Sequence, residues 1–334
     1  MSLRVLSPGT FSLLVDAGRP SSRSLGIPVG GPADRLSLAL GNALVGNPPF
    51  TTALEITLSG PTLVAEADVG ICVFGAPFRV DRDGHSIEPG TTFTLHKDQT
   101  LHIGGTPTGC RAYVCVPGGF QTAEVLGSRT AFEPVKAGDV LKCESSRLPG
   151  RSLALSPHEG ERSRVSGPIK AFKIGPLTRL RSPSRGGGLG VEGGNANPAE
   201  KIRVLPGPQA DWFDDAFFSH TYRVTPVSNR MGLRFDGPPL TLPKRELVSE
   251  PVAPGALQIT NDGRPLVLGV DGQTIGGYPK IAHVISADLD ALGQLRPGDA
   301  VQFRRVTEKE AEEAASERRE YLLKWVRRIA MALG

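Results

Sequence analysis

The chain has 334 residues, 39% of them apolar and 22% charged, a balance that suits a globular protein of about two domains, each with its own core. No stretch approaches the roughly 20 apolar residues of a membrane span. The opening MSLRVLSPGTFSLLVDAG lacks a basic segment followed by an apolar one, so the expectation is no membrane, no export and a cytoplasmic location.

Gly 41 and Pro 29 are high and long helical periodicities are scarce, so short strands joined by turns are expected. In chain order the first half reads as strands at Phe11–Asp16, Leu54–Leu58, Thr62–Ala65, Gly70–Phe74, Thr92–Leu95, Arg111–Val116 and Val140–Cys143. One helix interrupts them, Arg35–Val45. Asp34 is its N-cap, Leu36, Leu40, Ala43 and Leu44 form its apolar stripe, and Gly46-Asn47-Pro48 ends it. The net charge of +4 is concentrated in residues 151–185, with eight Lys/Arg against Glu159 and Glu161. Only Phe172 is aromatic there, so the segment reads as a solvated joint and not as a nucleic-acid surface. Strands resume at Ile202–Leu205, Thr221–Val224, Gly255–Ile259, Leu266–Val270, Ala282–Ser286 and Ala300–Arg305.

From Thr307 the pattern changes. Thr307 and Glu310 make a capping box, and Leu322, Val326, Ile329 and Leu333 follow helical spacing beside Trp325, which predicts an amphipathic helix packed on its own barrel. The expected organisation is a β-rich lobe over 1–156, a basic Gly/Ser/Pro-rich linker or insertion over 157–198, a second lobe over 199–306 and the helix over 307–334. KAGDVLKC (Lys136–Cys143) and RPGDAVQF (Arg296–Phe303) each place a Gly-Asp turn before an alternating strand near the end of a lobe.

Chemistry-bearing motifs are few. A literal GxGxxG at Gly188, Gly190 and Gly193 lacks the preceding strand and following helix of a dinucleotide site. No GxxxxGK[ST] occurs, and no lysine lies between methionines as a biotinylated one typically does, so any biotin must arrive on another protein. Cys72, Cys110, Cys115 and Cys143 read as buried free thiols, and the set His96, His102, Cys110 and Cys115 matches no compact zinc spacing. The stretch DGQTIGGYPK (Asp271–Lys280) is the densest polar turn, with Gln273, Thr274 and Tyr278 around Gly276-Gly277. Ser228-Asn229-Arg230 offers a guanidinium beside a glycine turn, Glu250 a carboxylate base and Gln258 an orienting amide.

Several segments occur in order: GIPVGGPAD (26–34), GNALVGNPP (41–49), LEITLSGPTL (54–63), GCRAYVCVPGGF (109–120), LGSRTAF (126–132), RVLPGPQADWF (203–213), SNRMGLRFDGP (228–238), LVSEPVAPGALQI (247–259) and the long run from Asp271 to Asp299. Together they make the chain resemble the biotin-dependent carboxyltransferase family. That family includes the second subunit of allophanate hydrolase, the carboxyltransferase part of urea carboxylase, the C subunit of 5-oxoprolinase and the antagonist of a sporulation-kinase inhibitor. The resemblance implies a mainly β fold of two barrel-like lobes, at least the second cyclophilin-like.

It also implies a first-subunit partner of the kinase-inhibitor or allophanate hydrolase subunit 1 type, and a LamB/YcsF-type subunit. Three activities are implied as alternatives: ATP-dependent opening of 5-oxoproline to glutamate with ATP on the complex, carboxyl transfer from biotin held in trans to a small amide, or non-catalytic binding of a partner. The implied site residues are Glu250, Asp271, Arg230 and Lys280 for catalysis. Gln258, Gln273, Thr274, Gly276, Gly277, Tyr278, Ser228, Asp34, Asn42 and Glu55 are implied to bind substrate. The family usually has an acid at position 229, an arginine at 272 and a threonine at 275, where this chain has Asn229, Gly272 and Ile275.

Overall fold

The computed structural model describes residues 1–143, 148, 153–156, 170–173 and 199–333. The expected linker 157–198 and its GxGxxG therefore lie outside the described residues, apart from the strand Lys170–Lys173, which pairs in parallel with Leu153–Ser156. The described chain is mostly β and divides into two compact units. One comprises Met1–Pro20, Val29–Pro176 and Arg319–Gly334, the other Ser21–Pro28 and Leu177–Arg318.

The first unit stacks a six-stranded sheet (Val140–Lys142, Ser2–Ser7, Thr62–Ala65, Thr100–Ile103, Val80–Arg82, His85–Ile87) and a five-stranded one (Phe11–Val15, Ala53–Thr57, Arg111–Cys115, Val69–Gly75, Thr92–Leu95). Leu3, Leu63 and Leu101 from one and Leu54, Ile71 and Val114 from the other share a single core. The helix Arg35–Leu44 covers the far face of the five-stranded sheet. It comes so close that a Cβ at Gly41 would sit 2.9 Å from Cys115 Sγ and 3.1 Å from Phe74 Cβ. Within that sheet Val69–Gly75 is buried along its whole length, which is why it reads as an unbroken apolar run. Cys72 and Cys115 stand opposite each other there, and burial pushes both thiols far above their ordinary range. They act as small hydrophobes.

The second unit is a closed seven-stranded barrel. Its order is Glu200–Pro206, Lys280–Val284, Ala256–Ile259, Pro265–Leu268, Gly232–Asp236, Tyr222–Val224 and Ala300–Arg305, returning to Glu200–Pro206. An odd ring cannot alternate direction throughout, and the closing pair, Glu200–Pro206 with Ala300–Arg305, is the parallel one. The interior is filled by Phe217, Tyr222, Phe235, Leu257, Ile259, Ile281 and Phe303. The strand expected at Ala282–Ser286 runs two residues earlier, as Lys280–Val284. Pairing of Gln258 with Lys280 draws the loop end into the sheet, while Ser286 begins a short 3-10 turn.

Each unit uses the same Gly-Asp turn. Asp139 accepts from Lys136 N and Asp299 from Arg296 N, both at 2.8 Å, and Gly138 and Gly298 take φ of 92° and 91°. Gly138 N then bonds Val5 O and Gly298 N bonds Val224 O, again both at 2.8 Å. The helix Glu308–Leu333 opens with the expected capping box, Glu310 N donating to Thr307 Oγ1 and Thr307 N to Glu310 Oε2. Its first turns pack Ala311 and Ala314 on Ile285, Ala287 and Val306 of the barrel unit. Among the described residues no helix is long and apolar enough to cross a membrane, and no His/Cys/Asp/Glu group is placed to hold a metal ion.

Candidate functional site

Strand alternation in the barrel sends Leu257, Ile259 and Ile281 inward. Gln258 and Lys280, paired in register on adjacent strands, take the opposite, outer face. That face also carries the small apolar cluster Val252, Ala256, Leu266 and Leu268. A two-residue ribbon covers this part of the chain, Glu250 opposite Gly276 and Pro251 opposite Ile275, extended by Val252 N donating to Thr274 O at 2.9 Å. The polar turn Asp271–Tyr278 therefore folds back on the Ser249–Val252 segment.

Two ion pairs result. Lys280 Nζ lies 2.8 Å from Glu250 Oε2, at an angle outside hydrogen-bond geometry. Arg230 forks onto Asp271, Nε to Oδ2 at 2.6 Å and Nη2 to Oδ1 at 3.0 Å, while Asp271 N donates to Arg230 O. In both pairs the cation is the buried partner. The Lys280 and Arg230 side chains are 8% and 6% exposed, those of Glu250 and Asp271 40% and 32%. The carboxylates are thus the groups that solvent or a substrate meets first, placed to take a proton from water or an N–H. An incoming anion would have to compete with them for the cations behind.

Gln258 is fully buried, and a Cβ at Gly276 would lie 2.9 Å from its Nε2 and 2.8 Å from Gln273 Nε2, so glycine leaves room for both amides. Thr274 is buried, Gln273 and Gly277 are exposed, and Tyr278 is half-buried. Ser228 clamps the hairpin, accepting from Arg234 N and donating to Arg234 O. Asn229 Oδ1 accepts from Met231 N, a role its amide oxygen fills without charge. Gly272 is sterically required, because a Cβ would sit 2.8 Å from Met231 O and 3.0 Å from Gly269 O. Ile275 points outward, 59% exposed. Gln209, which the sequence placed only within a longer motif, grips the Lys280 backbone from both sides, Lys280 N to Gln209 Oε1 at 2.9 Å and Gln209 N to Lys280 O at 3.1 Å.

The remaining expected residues lie in the first unit. Asp34 caps its helix through Ser37 N and Ser37 Oγ. Glu55 Oε2 accepts from Ala33 N and from Tyr113 Oη, both at 2.8 Å, and Arg111 Nε lies 3.5 Å from Oε1. Tyr113 Oη also accepts from Asp34 N, so the tyrosine joins the two acids. Burial, reinforced by the charges of Glu55 and Asp34, pushes the Tyr113 hydroxyl well above its ordinary range and keeps it a donor. Asn42 stands apart from this cluster. Its amide holds the following loop through Pro49 O, Thr51 O and Asn47 Nδ2. The period-two spacing of Arg111 and Tyr113 on one strand is the signal by which both could have been found.

A family model described as the carboxyltransferase domain, subdomains A and B, matches residues 25–305, and the chain belongs to that family. It is 32% identical to the C subunit of 5-oxoprolinase from Escherichia coli over 324 residues, spanning 96% of each chain. It is 30% identical to the urea amidolyase of Lachancea kluyveri over 90% of this chain, but spans only 17% of that protein. The crystal structure of Kluyveromyces lactis urea carboxylase matches with a TM-score of 0.78 at 27% identity, over 97% of this chain and 29% of that one. The expected mainly β fold and family are therefore established.

Proposed function

We propose that this chain is a subunit of a 5-oxoprolinase-type complex that opens the lactam of 5-oxoproline to glutamate at the expense of ATP. The observation that carries the reading is the outer-face cluster of the barrel, where two carboxylates backed by buried cations and a buried amide are brought together from separate segments. Its support is the likeness, along nearly the full length of both chains, to the C subunit of a 5-oxoprolinase.

A lactam carbonyl is a poor electrophile, and water attacks it only when its oxygen is activated and the developing charge is stabilised. Under this reading Glu250 or Asp271 takes the proton from the attacking water. Lys280 and Arg230 exchange those carboxylates for the substrate's negative oxygens, while Gln273, Thr274 and Tyr278 wall the ring. Under this reading ATP acts on another subunit, of the first-subunit or LamB/YcsF type, and no step here runs through it.

The test is to combine the purified chain with its partner subunits. Glutamate should form from 5-oxoproline only when ATP and all subunits are present, and the chain alone should be inactive. No glutamate in the full mixture overturns the reading. A second reading, carboxyl transfer from biotin on another protein to an amide nitrogen, draws on the carboxyltransferase family model and the urea amidolyase likeness. It requires a biotinylated partner that makes a urea or amide a carboxyl acceptor in this chain's presence.

A further inference from the structure

Gln258 is fully buried, yet neither its Oε1 nor its Nε2 has a hydrogen-bond partner. A dry primary amide is costly in a protein interior, and native structures rarely leave both of its atoms unsatisfied. The amide of Gln273 lies across Gly276 but makes no hydrogen bond with that of Gln258, and the other neighbours do not relieve it. Val252, Ala256, Leu266 and Leu268 are apolar, Lys280 is turned to Glu250, and Gly276 brings no side chain. The cover over this face is a ribbon of only two paired residues on each strand.

A primary amide presents an acceptor and a donor side by side. Its complement is another amide edge with C=O and N–H on the same side, as in a lactam or a ureido ring. An extended trans amide lacks that edge. We propose that Gln258 is the specificity-determining residue of the outer-face site, pairing its amide edge to edge with the syn carbonyl and N–H of a cyclic amide or ureido ligand. The inference rests on that patch being the substrate site proposed above.

The test uses the full chain and three probes in calorimetry: 2-pyrrolidinone, imidazolidin-2-one and N-methyl-2-pyrrolidinone. The first two should bind, and the N-methylated ring, which lacks the N–H, should bind about tenfold more weakly. Preference between the first two reports whether the lactam or the ureido ring is the native form. Gln258→Met, close in shape and without hydrogen bonds, should lose about tenfold for both and erase the discrimination. Its melting temperature should hold or rise, because an unsatisfied polar group is removed. Unchanged affinity in Gln258→Met, equal binding of the N-methylated ring, no binding of any probe, or a clear fall in melting temperature overturns the proposal.

If that variant does not fold, NMR of glutamine side-chain amides in the unmodified chain decides. One buried amide pair must shift with 2-pyrrolidinone and stay still with the N-methylated ring; any other outcome overturns the assignment. Failure of the two readings is separable. Glutamate formation with an unchanged KM in Gln258→Met removes this inference alone. Gln258-dependent probe binding without glutamate from the full complex removes the 5-oxoprolinase reading alone.

Discussion

Gln258 and Lys280 stand opposite each other on adjacent barrel strands, one an unpartnered amide and the other an ammonium held by Glu250 across the ribbon. The turn Asp271–Tyr278 is the link between them and the Arg230–Asp271 pair. A small patch of the barrel's outer surface thus carries two carboxylates, two cations and a free amide edge, and consequences for variants follow from which of these is buried.

Glu250 is partly exposed, so Glu250→Gln should change stability by less than about 1 kcal/mol. If its carboxylate is the base, kcat/KM of the assembled complex should fall by about a hundredfold or more. Asp271→Asn is the control. Whichever variant shows the larger loss in the glutamate assay identifies the base, and a small loss in both removes the acid-base role from this patch.

Arg230 makes a two-pronged contact that an ammonium cannot reproduce. Arg230→Lys should cost about 1–2 kcal/mol in urea denaturation, and Asp271→Ala a similar amount. The double variant should cost clearly less than the two together, because they share one interaction. Full additivity would show the pair to be energetically idle.

Gly276→Ala places a methyl 2.8 Å from Gln273 Nε2 and 2.9 Å from Gln258 Nε2. Both are ends of flexible side chains, so the fold should survive with a loss of no more than about 1 kcal/mol. The amides must move, and KM should rise several-fold more than kcat falls. A change confined to stability would contradict the placement of the site.

Asp16 accepts from Ser128 Oγ, Arg129 N, Gly18 N and Thr130 Oγ1. Burial works to raise its carboxyl, but these hydrogen bonds outweigh it and the net shift is downward. A folded-state value below the unfolded value of about 3.9 stabilises fully above that value and is lost as pH falls through the lower, folded one. Melting temperature followed from pH 6 to pH 2 should therefore fall less steeply in Asp16→Asn than in the parent, from a lower starting point.

Gly138 and Gly298 occupy equivalent turns at nearly the same φ, each with open space where a Cβ would go. Replacing either by Ala should cost about 1 kcal/mol through backbone strain alone, and the two costs should agree. A large inequality in chemical denaturation would mean the turns are not energetic equivalents.

Local chemistry was readable from residue order. Asp34 as a cap, the Thr307–Glu310 box and the two Gly-Asp turns involve partners within four residues, so the pattern states the contact. Long-range pairing was not. Lys280 read as the end of a loop and proved to be a strand residue, because its register is set by the apolar alternation of Leu257 and Ile281 across the barrel. Glu250 and Asp271 read as catalytic acids, but that each lies over a buried cation came only with the fold. Asn42 read as a substrate contact, and the fold gives its amide to the loop that follows. Spacing along a chain encodes which residues share a face. Which strand lies beside them, and so which polar group is satisfied and which is left waiting, depends on closing the whole barrel.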